Sequence, residues 1–443
     1  MNGIKDSLKE IISKADHMAR HMAKKVVACL KWIGLALLTG VAVGAFSTAF
    51  AWCLLHVTSL RGMFPWLLFF LPLGGLVIVF LYRSAGVKKD LGTNLVISSI
   101  REKGIVPGLM SVLIFASTVI THLFGGSAGR EGAALQIGGS LGHLLGRGFR
   151  LDERHKKVMI MCGMSAAFSA VFGTPMAAAV FSMEVISVGI MHYSALVPCM
   201  FSSLIASRFA ARMGIAPASF DIMNIPELSV GGGLKMCLLA LCCAGLSIVL
   251  CSALHKSSEL YQKFIKNPYI RIFVGGCLVI LLTVICQTGD YNGAGTEVIA
   301  RAVQGEVVPA AFILKILFTA VTLGAGFKGG EIVPTFFVGA TFGCLFGQIM
   351  GISPSLCAAA GMAATFCGVT NCPLTTLLIS FELFGFSAVP YFMIVIPLSY
   401  LLSGYKGLYH DQIIVYSKYR PQFINRRSGD ESEDDIVPDE EGK

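Results

Sequence analysis

The chain has 443 residues, of which 55% are hydrophobic and 14% charged, and its mean hydropathy is +0.73. Such a composition excludes a soluble globular domain and leaves a polytopic membrane protein. The formal net charge of +9 does not point to nucleic acid. The lysines and arginines flank apolar segments, and no soluble domain exists to present them as a binding face.

Residues 1–25 are polar and amphipathic, without the pattern of a secretory signal, and read as a cytoplasmic arm leading into the first span. Long apolar runs follow at Val26–Val57, Pro65–Tyr82, Val106–Phe124, Leu234–Leu254, Ile272–Cys286 and Ala310–Leu323. With the broken runs between them they predict about ten to fourteen helices, some too short to cross unaided. The 49 glycines and 16 prolines fall inside these runs as well as between them. That distribution fits discontinuous helices lining a polar cavity. Basic clusters at 5–25, 83–103, 147–157 and 256–271 predict the cytoplasmic face. The 14 cysteines are scattered through apolar segments and read as small hydrophobes, not disulfide partners. From Arg426 the sequence RRSGDESEDDIVPDEEGK is an acidic tail expected to be disordered. The expected organisation is an arm over 1–25, a first transmembrane half over 26–220, a second over 221–415, and an acidic cytoplasmic tail over 416–443.

An internal repeat supports the division into halves. Residues 163–184, GMSAAFSAVFGTPMAAAVFSME, align without a gap on 361–382, GMAATFCGVTNCPLTTLLISFE, with eight identities in 22 positions. Upstream, Gly138, Gly142 and Gly146 recur as Gly339, Gly343 and Gly347 with the same spacing. Glycine at every fourth position gives a helix a smooth face for close packing. Repeats of this kind belong to transporters and channels, with the substrate held where broken helices meet. An odd number of spans per half would make the repeats inverted.

Each half carries a charged, glycine-ringed loop opening a helix: Gly129-Arg130-Glu131-Gly132 in the first, Gly326-Phe327-Lys328-Gly329-Gly330-Glu331-Ile332-Val333-Pro334 in the second. A helix start offers unpaired N–H groups and the positive end of a dipole, and glycine lets a ligand approach the backbone. Two facing starts can hold an anion weakly enough to release it, as conduction or exchange requires. Helix-packing turns are the competing explanation for the glycines. A carboxylate such as Glu131 in apolar surroundings marks a functional position, because an unpaired buried charge is costly. Arg130 and Lys328 would neutralise the neighbouring carboxylates and raise the local anion potential.

These motifs make the chain similar to the CLC family of chloride channels and proton-coupled anion antiporters. GREGAALQIGG resembles the family's Gly-Arg-Glu-Gly-Pro signature, and Gly92-Thr93-Asn94, GFKGGEIVP and Gly407-Leu408-Tyr409 follow the family's order. The resemblance runs from about residue 30 to residue 415. It implies an all-α polytopic membrane protein of CLC type, with two structurally related, inverted-repeat halves and broken helices. It further implies a homodimer with one pathway per chain, embedded in the plasma membrane, with fluoride or chloride and protons as its cargo. By resemblance Glu131 is the external gate and proton carrier. Helix capping is its bland alternative. Thr93 takes the place of the family's central serine, or simply caps a helix. Tyr409 takes the place of its inner tyrosine, or sits in an interfacial belt. Asn94, Arg130, Gly132, Ala133, Ile332 and Val333 complete the expected anion site.

Departures from the chloride members narrow the branch. Their Ser-Gly-Ile-Pro pattern is replaced by Thr93-Asn94-Leu95-Val96, and their Gly-Ile-Phe-Ala-Pro by Gly330-Glu331-Ile332-Val333-Pro334. The internal proton-transfer glutamate of chloride/proton antiporters falls on Val185, which cannot carry a proton. Phe-Lys-Gly-Gly-Glu, and Asn371-Cys372-Pro373 followed by Phe381-Glu382-Leu383-Phe384-Gly385, resemble the fluoride-exporting branch called CLC-F. In that branch Glu331 would be a second carboxylate near the pathway. Val333 stands where the branch usually has threonine, and Ala133 replaces the residue after the signature. The expected function is fluoride/proton antiport, with a chloride channel or chloride/proton antiporter as the alternative. Glu184 and Glu382, at equivalent repeat positions, are expected to serve paired structural roles, by snorkelling or by accepting bonds from helix ends. The nine histidines show no metal spacing and no phosphate-binding loop is present, so neither metal, cofactor nor nucleotide is expected. An intramembrane enzyme would need an Asp pair or a His cluster, and the sequence offers neither.

Overall fold

The computed structural model describes residues 2–87, 92–101, 104, 106–420 and 422–428, with side chains from residue 14 onward. The expected disorder of 429–443 lies outside the described residues. In chain order the helices are α1 (Asn2–Met63), α2 (Leu71–Ser84), α3 (Thr93–Arg101), α4 (Leu109–Leu123), α5 (Glu131–Gly148), α6 (Glu153–Phe172), α7 (Pro175–Glu184), α8 (Leu196–Arg212), α9 (Val230–Phe264), α10 (Pro268–Cys286), α11 (Thr296–Val303), α12 (Ala311–Ala325), α13 (Ile332–Met350), α14 (Pro354–Thr370), α15 (Pro373–Phe384) and α16 (Val389–Leu402). Six helices are long and apolar enough to cross a bilayer alone, and five further apolar helices of 10–17 residues are shorter. The excess over ten to fourteen helices comes partly from α3 and α11, of 9 and 8 residues. Both begin at a Gly-Thr turn outside the long apolar runs.

Helices α1–α8 correspond in order to α9–α16. α5 packs on α6 as α13 packs on α14, α1 touches α6 and α8 as α9 touches α14 and α16, and α7 meets α15 across the seam. The halves are inverted. α2 runs antiparallel to its counterpart α10: Gly276 abuts Pro72, Gly75 abuts Ile272, and Arg83 at the end of α2 lies 4.8 Å over the ring of Tyr269 at the start of α10. The core sits at the seam, where Phe172, Phe336, Phe366 and Phe181 form a chain of rings from α6 through α13 and α14 to α7, with centroids 5.0 to 6.2 Å apart. Each such pair adds about 1 kcal/mol beyond its area burial.

The repeated glycines are explained by backbone contact. A Cβ on Gly142 would lie 2.3 Å from the Met159 carbonyl oxygen, and one on Gly343 would lie 2.0 Å from that of Cys357. Only hydrogen at these positions lets the paired helices approach so closely.

Glu184 and Glu382 cap each other's helices. The Glu184 carboxylate, ending α7, accepts from Leu374 N–H (3.1 Å), Thr375 N–H (2.8 Å) and the Thr375 hydroxyl (2.6 Å) at the start of α15. Glu382, near the end of α15, accepts from Met176 and Ala177 N–H at the start of α7, both at 2.9 Å. Accepting bonds from helix ends is thus their arrangement, and it locks one half to the other. Glu184→Ala orphans the buried amide and hydroxyl of Thr375 and the part-buried amide of Leu374, and is expected to cost about 3 kcal/mol, read as a lowered Tm in detergent. Glu382→Ala, at a half-buried position, is expected to lower it less.

Among the described residues three short strands, not expected from the sequence, follow the last helix or pair with what does. β1 (Ser187–Val188) pairs in parallel with β2 (Ile413–Tyr416), which pairs antiparallel with β3 (Phe423–Arg427). Residues 423–427, assigned to the acidic tail, are therefore ordered against the membrane half. Lys418 fastens the sheet: its ammonium donates to Asn371 Oδ1 (2.5 Å), the Tyr400 carbonyl (2.9 Å) and Ser403 Oγ (3.3 Å) at the ends of α14 and α16.

Candidate ion site

The two glycine loops meet. Gly129 N–H donates to the Gly330 carbonyl and Gly330 N–H to the Gly129 carbonyl, both at 2.7 Å, as an isolated antiparallel bridge. α5 leaves this bridge toward one face and α13 toward the other. The first helical bond of α5 is Ala134 N–H to Arg130 O, and that of α13 is Thr335 N–H to Glu331 O. The amides of Gly132 and Ala133, and of Ile332 and Val333, therefore fall outside the helical ladders, as at every helix start. They are also close together: a Cβ on Gly132 would lie 3.0 Å from Gly330 Cα and 3.7 Å from Glu331 N, and one on Gly330 would lie 2.5 Å from Gly132 N. Glycine is required on both sides of the junction. The four backbone positions expected from the sequence are thus assembled in one place.

Glu131 is 0% exposed. Its Oε2 accepts from Arg130 N–H at 3.1 Å, and Oε1 lies 3.4 Å from Arg130 Nε. The carboxylate folds over its own helix start, where the dipole and a guanidinium stabilise negative charge. Glu331 stands just before α13 and is only half-buried. Because Gly129 pairs antiparallel with Gly330, the two helix starts are equivalent across the bridge: Glu331 takes in the second the place that Arg130 has in the first, and Ile332 that of Glu131. The two carboxylates are therefore not symmetry mates, in keeping with the offset of the repeated glycines Gly138 and Gly339.

Thr93 begins α3 beside the junction, its hydroxyl 3.4 Å from the Gly132 carbonyl oxygen and 3.5 Å from Gln136 Nε2. Asn94 Oδ1 accepts from Asp411 N–H at 3.2 Å and ties α3 to the segment bearing Tyr409. Tyr409 is buried and its phenol oxygen has no hydrogen-bond partner within the protein. An unpartnered buried hydroxyl is a donor suited to an anion. Its segment is held by Gln412, whose Nε2 donates to the Val185 (3.1 Å) and Thr370 (2.9 Å) carbonyls and whose Oε1 accepts from Asn371 Nδ2 (3.1 Å). Val185 is buried in the core and contributes its carbonyl alone. Lys328 lies 4.9 Å over the ring of Tyr82.

A cavity of about 970 Å³ adjoins the junction, lined by Arg61, His122, Arg130, Asp290, Thr296 and Glu297 among others. Arg61 donates to the His122 carbonyl at 2.9 Å. Behind it the fully buried Lys315 donates to the carbonyls of Gly293 (2.7 Å) and Tyr291 (3.1 Å). Two signals for this mouth are present in the sequence. Lys315 is the lone charge in the run Ala310–Leu323, and Gly295-Thr296 repeats Gly92-Thr93, with φ of 77° and 59° at the two glycines. Among the described residues no group of His, Cys, Asp and Glu could hold a metal.

Inverted halves whose broken helices meet start to start define a membrane transporter or channel of the inverted-repeat class. The family described as voltage gated chloride channel matches residues 74–404, and the chain belongs to this CLC family. It is 34% identical over 396 residues to a "Chloride/fluoride channel protein" of Pseudomonas syringae pv. tomato, covering 88% of each chain. To the "H(+)/Cl(-) exchange transporter ClcA" of Vibrio cholerae it is 26% identical over 277 residues, 58% of each. Among solved structures it superposes on a CLC-type fluoride/proton antiporter with a TM-score of 0.83 and 31% identity, covering 86% of this chain and 98% of that one. A slow cyanobacterial Cl-/H+ antiporter, at 18% identity and a TM-score of 0.69, shares the fold.

Proposed function

We propose that the protein exchanges fluoride for protons across the plasma membrane and so exports fluoride. The observation that carries this reading is the pair of carboxylates, Glu131 and Glu331, at two abutting helix starts, combined with valine at position 185. A proton route through this chain has titratable groups at the junction and none at the inner position used by chloride/proton exchangers. Glu131 is the gate: ionised, it occupies the helix-start amides; protonated, it loses its attraction to the dipole and yields them to an anion. Proton and anion thus compete for one place, which is the basis of exchange. Thr93, Tyr409 and the amides of Gly132, Ala133, Ile332 and Val333 receive the anion, with Arg130 setting a positive potential at the outer mouth. Glu331 hands protons between Glu131 and the inner side. The transport unit comprises halves 26–220 and 221–415, and two chains pair as a homodimer with independent pathways. The likeness to a protein named for chloride and fluoride and to a fluoride/proton antiporter supports fluoride as the cargo.

Chloride transport is the second reading, favoured by the kinship with chloride/proton exchangers. Liposomes containing the protein and loaded with either ion separate the two, with release read by ion-selective electrodes. Fluoride is expected to leave at least ~10-fold faster than chloride. Equal rates, or faster chloride, would overturn the fluoride assignment. Glu331→Gln is expected to slow proton movement about 10-fold or more in the same liposomes, since an amide cannot relay a proton.

A further inference from the structure

Two further large cavities border one turn of α9. The first, of about 810 Å³, is enclosed by the ends of α2, α9 and α10 and by the segment after α12. Arg83, Lys266, Arg271 and Lys328 line it, and among the described residues no carboxylate does. Its cations are held in place: Arg83 is stacked 4.8 Å over Tyr269, Lys328 4.9 Å over Tyr82, and Arg271 Nε donates to the Ala325 carbonyl at 3.3 Å. The second cavity, of about 1000 Å³, is a groove between α9 and α10 with α12 as its floor. Its walls are apolar, with Leu246, Val249, Leu260, Leu278, Ile313 and Leu317 among them. Tyr261, Phe264 and Ile265 border the groove, while Gln262 and Lys266 from the same turn border the basic pocket.

A basic pocket at the ends of spans, beside an apolar groove that borders the same turn of α9 and runs along those spans, matches one chemistry. We infer that Arg83, Lys266, Arg271 and Lys328 bind the headgroup of an anionic phospholipid whose acyl chain lies in the α9/α10/α12 groove. The basic segments 83–103 and 256–271 put the pocket on the face predicted to be cytoplasmic, where anionic headgroups meet such pockets. From Phe264 back to Cys242 the groove follows α9 for about 30 Å, enough for a full acyl chain. A soluble phosphate would use the pocket and leave the groove idle. The site also has a route to the ion pathway, because Lys328 lies two residues before the bridged Gly330 and three before Glu331.

The test titrates the purified full-length protein in detergent with phosphatidylglycerol, phosphatidylcholine or glycerol phosphate, and counts bound species by native mass spectrometry. Phosphatidylglycerol is expected to bind more tightly than phosphatidylcholine. The double substitution Arg83→Gln/Lys266→Gln, at two exposed positions, is expected to weaken it on the order of 30-fold. Ala253→Trp, which fills the groove without touching the cations, is expected to weaken it as well. Equal binding of the two lipids, undiminished binding by the double variant, or indifference to Ala253→Trp would overturn the proposal. Competition by glycerol phosphate at concentrations similar to the lipid's would do so too, by assigning the pocket to soluble phosphate. Should either variant fail to elute as a single folded species, the three ligands compared on the unaltered protein still decide.

Discussion

Glu131→Gln is expected to abolish proton coupling, with proton flux at least ~100-fold below that of the unaltered protein, the scale on which a positioned proton-transfer group matters. Glutamine has the shape of the protonated acid, and its amide oxygen can still accept from Arg130 N–H, the bond that Glu131 Oε2 makes at 3.1 Å. The fold is therefore preserved and the charge is lost. Without charge the side chain has no electrostatic reason to hold the helix-start amides, so anion flux changes as proton flux disappears. Proton movement into fluoride-loaded liposomes, followed with a pH-sensitive dye, checks this. A protein that uses its fold as a passive scaffold would tolerate the change, and unaltered proton flux would refute the gate.

Gly343→Ala is expected to be the most damaging single-methyl change in the second half. The added carbon would lie 2.0 Å from the Cys357 carbonyl oxygen and 3.1 Å from Ala358 Cα. Both are backbone atoms, so relief requires α13 and α14 to separate along their whole contact. A cost of about 3 kcal/mol follows, toward the upper end for overpacking. Gly142→Ala, its counterpart against Met159 on α6, is expected to behave alike. Gly245→Ala, where no atom lies within 4 Å, is expected to be neutral. Thermal unfolding in detergent, read by tryptophan fluorescence or gel filtration, separates the three. Equal midpoints would refute the close helix contact.

Much of this architecture is legible in the sequence because its constraints are local and repeated. Glycine every fourth residue announces helices in backbone contact, and the matched Glu184 and Glu382 announce a shared role that becomes reciprocal capping. The converging amides were readable from two glycine-ringed helix starts. Their direct hydrogen-bonded contact was not, since the Gly129–Gly330 bridge joins loops far apart in the sequence. The strands escaped because Ile413-Ile414-Val415-Tyr416, a β-branched run, straddles the expected end of the membrane half, and its partners lie 226 residues upstream (413 to 187) and in the acidic tail. Lys315 escaped because one charge in an apolar run has no motif around it, and its partners are main-chain carbonyls supplied by a distant turn.

The central claim, that anion and proton share the Glu131 junction and exchange there, is tested most directly by uphill proton movement. Liposomes holding the protein are given an outward fluoride gradient with no pH difference, and the membrane potential is clamped near zero by potassium and valinomycin. The account expects protons to accumulate inside as fluoride leaves, against the pH gradient that this movement builds. Fluoride leaving with no proton entry would contradict it and make the pathway a channel.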